Sequence, residues 1–299
     1  MLGDVRQGGL LAMSAAALFG ASTPAAKAVI SGVQPLMLAG LLYLGSGVGL
    51  TALRLATRKA HLSFRRADLP WLGAAIAFGG ILGPAFLMWG LISITGSAAS
   101  LLLTLEGVLT ALIAWIVFRE PFNLRVGFGM VAIVAGAAIL AIGPGEGQAA
   151  ISGALLVAAA CLCWAIDNNC TSRISQADAL ALASIKGLVA GVVNVALAFL
   201  AGAMLPRPEY IGVAGLIGLL GYGISLVLFV LALRQVGAAR TGAYFSTAPF
   251  LGAVLSLALL RETWTWSLAA AGLLMGFGVW LHLTEEAPAA ADAQQGEIE

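Results

Sequence analysis

Charged residues are scarce in this sequence, and their scarcity defines the class of protein. Asp, Glu, Lys and Arg make up 10% of its 299 residues, whereas hydrophobic residues make up 61%. A soluble domain carries roughly 25% charged residues, so this chain has too few to cover a water-facing surface. The mean hydropathy of +1.00 points the same way. We therefore predict an integral membrane protein.

Histidine and cysteine are also rare, which argues against a metal centre or a disulfide framework. The two histidines, His61 and His282, have no metal-ligating neighbours in the sequence. The three cysteines, Cys161, Cys163 and Cys170, share one apolar run, in which the first two point to different sides of a helix. We interpret them as small buried hydrophobic residues. No metal and no cofactor is predicted.

Motifs for catalysis, ATP hydrolysis and nucleic-acid binding are missing from the sequence. Serines occur without a nucleophile elbow, and glycines lie within apolar runs without the Gly-Lys-Ser/Thr of a phosphate loop. A net charge of +1 leaves no basic face for nucleic acid. We therefore expect neither an enzyme, nor an ATP-driven pump, nor a nucleic-acid-binding protein.

Long apolar runs, by contrast, recur along the whole chain. A bilayer-spanning helix needs about 20 mostly apolar residues, and ten runs of that length predict an all-α fold of ten transmembrane helices. The first run is similar to a secretory signal, with Ala26-Lys27-Ala28 at the place of a cleavage site, but its length favours a membrane span. The predicted ranges are 8–30, 34–55, 70–92, 97–118, 123–142, 152–172, 179–203, 210–233, 239–260 and 265–284.

Lys and Arg are unevenly distributed among the connections, which sets the predicted orientation. With the N-terminus in the cytoplasm, most basic residues fall on the cytoplasmic side, and the opposite side receives only Arg207 and Arg261, with Lys27 near that interface. Both termini are therefore predicted to be cytoplasmic. The acidic tail, residues 285–299, lacks apolar periodicity and is predicted to be disordered.

One stretch of the chain occurs twice. The fourth run ends in Arg119-Glu120, and the ninth run ends in Arg261-Glu262. Each half of the chain has five spans, so the second half must cross the membrane in the opposite sense to the first. This pattern predicts two inverted five-helix repeats, residues 1–145 and 146–284, a recurrent plan among transporters. The substrate site is expected between the repeats.

Three stretches carry a family likeness: Leu18-Phe19-Gly20-Ala21-Ser22-Thr23-Pro24-Ala25-Ala26-Lys27 in the first span, and the ends Phe118-Arg119-Glu120 and Leu260-Arg261-Glu262. They resemble the drug/metabolite transporter superfamily, and within it the EamA-type ten-helix exporters. The resemblance covers residues 8–284, and the chain is most similar to bacterial exporters of aromatic and other neutral amino acids. It departs from the family pattern at Gly107, where the fourth helix often has proline, whereas the second half keeps Pro249.

Asp167 and Lys186 are ionisable residues that the sequence places inside the bilayer. They lie on consecutive spans at a similar depth, roughly 8–11 Å from the cytoplasmic face at 1.5 Å per residue, so they are able to pair. Two interpretations stay open. The pair either fixes two helices together, or it acts in transport, with Asp167 as a cytoplasmic gate and Lys186 as an anchor for a substrate carboxylate.

Glu106 lies near the middle of the fourth span, with no basic residue predicted at its depth. An unpaired acid in lipid favours its protonated form. It is predicted to hold two helices together by a hydrogen bond, to contact a substrate ammonium, or to couple transport to protons. Thr110, one turn further on, is a candidate to share its hydrogen bond.

Aromatic residues complete the predicted site. Trp164 and Asn168 are one turn apart and share a helix face, while Tyr222 and Tyr244 lie within the eighth and ninth spans. Pro24 removes a helix hydrogen bond and is a predicted hinge at the outer gate. The predicted substrate-binding residues are Glu106, Trp164, Asn168, Lys186, Tyr222 and Tyr244, and the predicted gating residues are Pro24 and Asp167.

These observations predict a transporter that exports small neutral metabolites, aromatic and other neutral amino acids first, by alternating access in the bacterial inner membrane. Its partners are a small-molecule substrate and the lipid bilayer, and no oligomer is required. One alternative is a broad-specificity drug/metabolite carrier of the same superfamily, including a nucleotide-sugar type. A nucleotide or sugar-phosphate ligand needs several cations in the cavity, and Lys186 alone does not supply them. The other is a non-transporting membrane scaffold or receptor, which has no need of polar groups at the membrane midplane.

Overall fold

The computed structural model describes residues 2–57, 65–120, 123–142, 147–174 and 178–283. Every regular element within these ranges is helical, and ten helices are long and apolar enough to cross a membrane. The predicted all-α, ten-span fold is therefore confirmed, with boundaries within a few residues of those expected. The predicted tail, 285–299, lies outside the described residues. Spans 1 to 10 are Arg6–Gly32, Pro35–Ala56, Arg66–Ser93, Gly96–Phe118, Leu124–Ile142, Gln148–Ser172, Ala179–Leu200, Pro208–Gly237, Arg240–Leu259 and Trp266–Leu283.

Spans 3 and 8, the third of each half, both contain a π-helical segment. In span 3 it covers Ile76–Leu82, and in span 8 it covers Leu219–Ile224. Such wide turns leave backbone carbonyls without their ordinary helical partners and are frequent at functional sites. Both segments contain glycines, which allow side chains from other helices to approach the backbone.

Spans 4 and 9 are also interrupted at comparable places. Span 4 consists of Gly96–Leu102 and Leu105–Phe118, and the second helix of span 9 is Ala248–Leu259. Pro249 lies in the first turn of that helix, where a missing N–H costs little. Span 4 breaks without a proline. The chain makes a tight turn at Leu103-Thr104, where Thr104 N and Oγ1 both donate to the Leu101 carbonyl, at 3.0 and 2.8 Å.

Glycines allow spans 2 and 7 to pack backbone against backbone. A Cβ at Gly187 would lie 2.7 Å from the Gly47 Cα, and a Cβ at Gly191 would lie 3.0 Å from the Gly40 carbonyl oxygen. In the membrane such packing holds helices together, since lipid offers no hydrophobic driving force between them. Around this pair, span 1 packs on spans 8 and 9, span 6 packs on spans 3 and 4, and span 5 packs on span 10.

The two interrupted spans meet at one end of the bundle only. Gly96–Leu102 packs against Ala248–Leu259, and a Cβ at Gly252 would lie 2.8 Å from Ser100 Oγ. Among the described residues, Leu105–Phe118 packs on span 6 but not closely on span 9, and nothing stands within 4 Å of a Cβ at Gly107. We call the end that holds Gly96 the closed end and the end that holds Phe118 the open end.

Candidate substrate site

The π-helical segment of span 3 gathers side chains from three other spans. The carbonyl of Gly79 accepts hydrogen bonds from Tyr43 Oη at 2.7 Å and from Trp164 Nε1 at 3.0 Å. The neighbouring carbonyl of Gly80 accepts one from Asn194 Nδ2 at 3.1 Å. Pro84, which lies five residues after Gly79 and four after Gly80, has no N–H to donate back to these carbonyls. Spans 2, 6 and 7 thereby converge on span 3 near its middle.

Glu106 and Asn168, both predicted from the sequence, lie in direct contact. Asn168 Nδ2 donates to Glu106 Oε1 at 2.8 Å and also lies 3.3 Å from Thr110 Oγ1. The expected sharing between Glu106 and Thr110 is therefore bridged by Asn168. No described residue donates to the second carboxylate oxygen of Glu106, so this oxygen can accept from a substrate.

Asp167 and Lys186, which the sequence places at a similar depth and so allows to pair, form an ion pair. Their side chains are 6% and 22% exposed, and the other oxygen of Asp167 accepts from Thr171 Oγ1 at 3.0 Å. The carboxylate also packs on Gly79, where any side chain would collide with it. Lys186 thus enters the site already neutralised, which restricts its predicted role as an anchor for a substrate carboxylate.

A band of aromatic rings runs from this region towards span 9. Tyr222 lies with its ring centroid 5.6 Å from that of Tyr43 and 6.1 Å from that of Phe19. Phe245 then lies 5.3 Å from Phe19, and Phe229 lies 4.9 Å from Phe245. We call these residues the aromatic band. Since Tyr43 shares its acceptor with Trp164, the band connects the predicted residues Trp164 and Tyr222.

Sequence reasoning did not select Tyr43 or Phe19 as site residues. The signal was present for Tyr43, because the stretch Pro35 to Tyr43 is echoed by Asp178 to Lys186. In the structure Tyr43 and Lys186 both pack beside Gly80, at 3.7 and 3.5 Å from the position of a Cβ there.

Two of the predicted residues lie apart from this cluster. Tyr244 is 39% exposed and packs beside Gly9, towards the open end. Pro24 lies within one continuous helix, Leu2–Val29, and its role as a hinge stays a prediction. In the same helix, Lys27 Nζ donates to the Leu91 carbonyl at 2.5 Å.

The site contains no recognisable metal centre in the part of the chain that the structure describes. No three His, Cys, Asp or Glu residues within those ranges come close enough to hold an ion. The three cysteines are free and buried. The polar groups present are carboxylates, amides, one ammonium and backbone carbonyls, which are suited to binding a small polar molecule reversibly.

Comparison with known proteins gives a consistent picture. The model of the EamA-like transporter family matches the chain twice, over residues 6–142 and 151–284. A protein from Methanothermobacter thermautotrophicus, described as an uncharacterized transporter, is 26% identical over 290 residues, which cover 90% of this chain and 84% of the relative. A solved crystal structure superposes with a TM-score of 0.67 at 20% identity, covering 92% of this chain and 95% of the other, and shows that the fold is shared.

Proposed function

The chain belongs to the EamA-like transporter family, and from this membership we propose that it exports small neutral metabolites, with aromatic and other neutral amino acids as the first candidates. We further propose that residues 1–145 and 146–284 form two inverted repeats that expose one site to each side of the membrane in turn. The paired π-helical segments, the paired breaks in spans 4 and 9, and the two family matches support this division.

The predicted orientation places both termini, and therefore the open end, on the cytoplasmic side of the cell's inner membrane. The described conformation is then the one that receives a substrate for export. The closed end faces outward, and release requires the interface between spans 4 and 9 to separate at Gly96.

The observation that carries the proposal is the bond from Asn168 to one oxygen of Glu106, one helical turn from Trp164, which shares an acceptor with Tyr43 of the aromatic band. The free oxygen of Glu106 accepts from a substrate ammonium, which also gains from nearby aromatic faces. A flat or apolar side chain then packs along Trp164, Tyr43 and Tyr222. The substrate carboxylate contacts Lys186, which keeps Asp167 as its other partner.

A broad-specificity carrier of amine-bearing compounds is the second candidate. It is favoured by one observation: Lys186 is already paired with Asp167, whereas Asn168 is the one described side chain that donates to the Glu106 carboxylate. An amine without a carboxylate satisfies this arrangement as well as an amino acid does. Counterflow into liposomes, with a panel of labelled amino acids and of amines lacking a carboxylate, separates the two candidates.

Trp164→Ala tests the contribution of Trp164, which shares the Gly79 carbonyl with Tyr43 of the aromatic band. We expect this variant to lower counterflow of aromatic amino acids about three- to tenfold, the worth of one lost aromatic contact, while threonine counterflow changes less. Trp266→Ala is the matched control, because Trp266 is 86% exposed at a span end. Equal losses for aromatic substrates and threonine contradict the proposed pose.

Glu106→Gln tests whether the acid titrates during transport. The glutamine retains an acceptor for Asn168 but cannot exchange a proton, so we expect transport to persist with a flattened pH profile. Counterflow over a series of pH values is the measurement, and uptake with and without a pH gradient then separates a facilitator from a proton-coupled antiporter. A parental rate with a parental pH profile removes Glu106 from both substrate binding and proton coupling.

A further inference from the structure

Opposite charges hold the break between spans 3 and 4 at the closed end. Both carboxylate oxygens of Glu262, just beyond span 9, accept backbone hydrogen bonds at the start of span 4, from Gly96 N at 2.6 Å and from Ser97 N at 2.9 Å. Lys27 donates to Leu91 in the last turn of span 3. An anion at a helix N-terminus and a cation at a C-terminus are each stabilising. Glu262 therefore joins the second half of the chain to the first at this end.

The Arg-Glu pair at the end of span 9, Arg261-Glu262, is repeated at the open end as Arg119-Glu120, but Glu120 does not make the backbone hydrogen bonds that Glu262 makes. Arg119 and Arg261 both adopt a left-handed conformation, with φ of 57° and 53°, so the chain turns alike before Glu120 and Glu262. Glu120 is nevertheless exposed, and its carboxylate accepts no hydrogen bond from a described residue. Its counterpart target is Gly237-Ala238, which lies at the junction of spans 8 and 9, just as Gly96-Ser97 lies at the junction of spans 3 and 4.

We propose that Glu262 and Glu120 are alternate latches of the transport cycle. Glu262 holds the start of span 4 while the closed end is shut, and Glu120 takes the equivalent backbone hydrogen bonds at Gly237-Ala238 when the open end shuts. The proposal rests on the alternating access proposed above, and it adds two residues that touch no substrate. Gly237, with φ of 80°, already interrupts the helix where the second latch would engage.

The test uses the full chain in liposomes and an impermeant maleimide that labels single added cysteines. Ser256→Cys reports on the closed end, because Ser256 is fully buried there and lies 2.8 Å from a Cβ at Gly96. Gly107→Cys reports on the open end. The parent chain, whose own three cysteines are buried, gives the background labelling.

Glu262→Gln replaces one acceptor oxygen with an amide that cannot accept from a backbone N–H. We expect labelling of Ser256→Cys to rise about tenfold or more, the worth of one charge-assisted hydrogen bond, and labelling of Gly107→Cys to fall. In Glu120→Gln, Ser256→Cys stays protected and counterflow slows by about tenfold or more. The double variant Glu120→Gln/Glu262→Gln returns both labelling rates towards the parent.

Glu209→Gln is the control, since Glu209 pairs with Arg207 at the same end and both side chains are exposed. Parental labelling in a stably folded Glu262→Gln variant overturns the proposal. The proposal is also overturned if labelling of Ser256→Cys rises while labelling of Gly107→Cys does not fall, because that result means that the closed end only frays locally. If no substrate shows counterflow but the labelling changes occur as expected, the proposed function is contradicted and the proposed latches are not.

Discussion

Replacing Gly187 with leucine is expected to leave almost no folded protein. Gly187 lies where spans 2 and 7 touch, and a Cβ there would stand 2.7 Å from the Gly47 Cα, 2.8 Å from the Gly47 nitrogen and 3.0 Å from the Tyr43 carbonyl oxygen. All three neighbours are backbone atoms, so no side chain can move aside. A leucine must separate the two helices along their length, and this separation removes the packing on which helix association in lipid depends.

A graded series makes this expectation quantitative. Gly187→Ala adds one methyl group to the contact and is expected to cost about 1–3 kcal/mol of stability, as overpacking does elsewhere. Gly212→Ala is the matched control: it is a helical glycine with nothing within 4 Å of its Cβ position, so the alanine should be neutral or stabilising by up to about 1 kcal/mol. Monodisperse yield in detergent and thermal unfolding measure both effects. A Gly187→Leu variant that purifies and melts like the parent refutes the packing argument.

The sequence was sufficient to predict the ten spans, because the thickness of the bilayer fixes the length of an apolar run. It was also sufficient for contacts between neighbours in the chain. Asp167 and Lys186 were considered able to pair because consecutive spans place them at one depth, and they do pair. Trp164 and Asn168 share a helix face because they are one turn apart.

Contacts that depend on tertiary packing could not be predicted from the sequence. Which helix supplies the partner of Glu106 depends on how span 6 packs on span 4. The sequence predicted Asn168 as a site residue beside Trp164, but not as the partner of Glu106. The bond from Tyr43 to Gly79 depends on a π-helical turn, whose position no local pattern marked. The break in span 4 occurs without the proline that marks the break in span 9.

Glycine spacing shows the same limit. The motifs Gly187-x-x-x-Gly191 and Gly272-x-x-x-Gly276 are alike in sequence. The first packs glycine against the backbone of span 2, whereas a Cβ at Gly272 or Gly276 would meet only side chains, at 3.6 and 3.7 Å. A glycine pair therefore permits close approach of helices, and the partner helix decides whether the approach occurs.

Lys186→Met is expected to abolish transport and to destabilise the protein by about 3–5 kcal/mol, the usual cost of leaving one partner of a buried ion pair alone. Asp167 is only 6% exposed on its side chain, and Thr171 is its other hydrogen-bond partner. Arg207→Met is the matched control, because the Arg207–Glu209 pair is exposed, with side chains 79% and 60% accessible, and surface pairs contribute about 0–1 kcal/mol. Thermal unfolding and counterflow of the same preparations are the measurements.

The double variant Asp167→Asn/Lys186→Gln then separates a structural pair from a working one. Two neutral amides can hydrogen-bond to each other in the space of the ion pair, so we expect the melting temperature to recover. Transport should stay low for two reasons. The neutral pair has no ammonium to attract a substrate carboxylate, and it cannot change its charge when the site becomes exposed to the other side of the membrane. Full recovery of counterflow along with stability would mean that the ion pair only fastens spans 6 and 7, and the substrate site would then reduce to Glu106, Asn168 and the aromatic band.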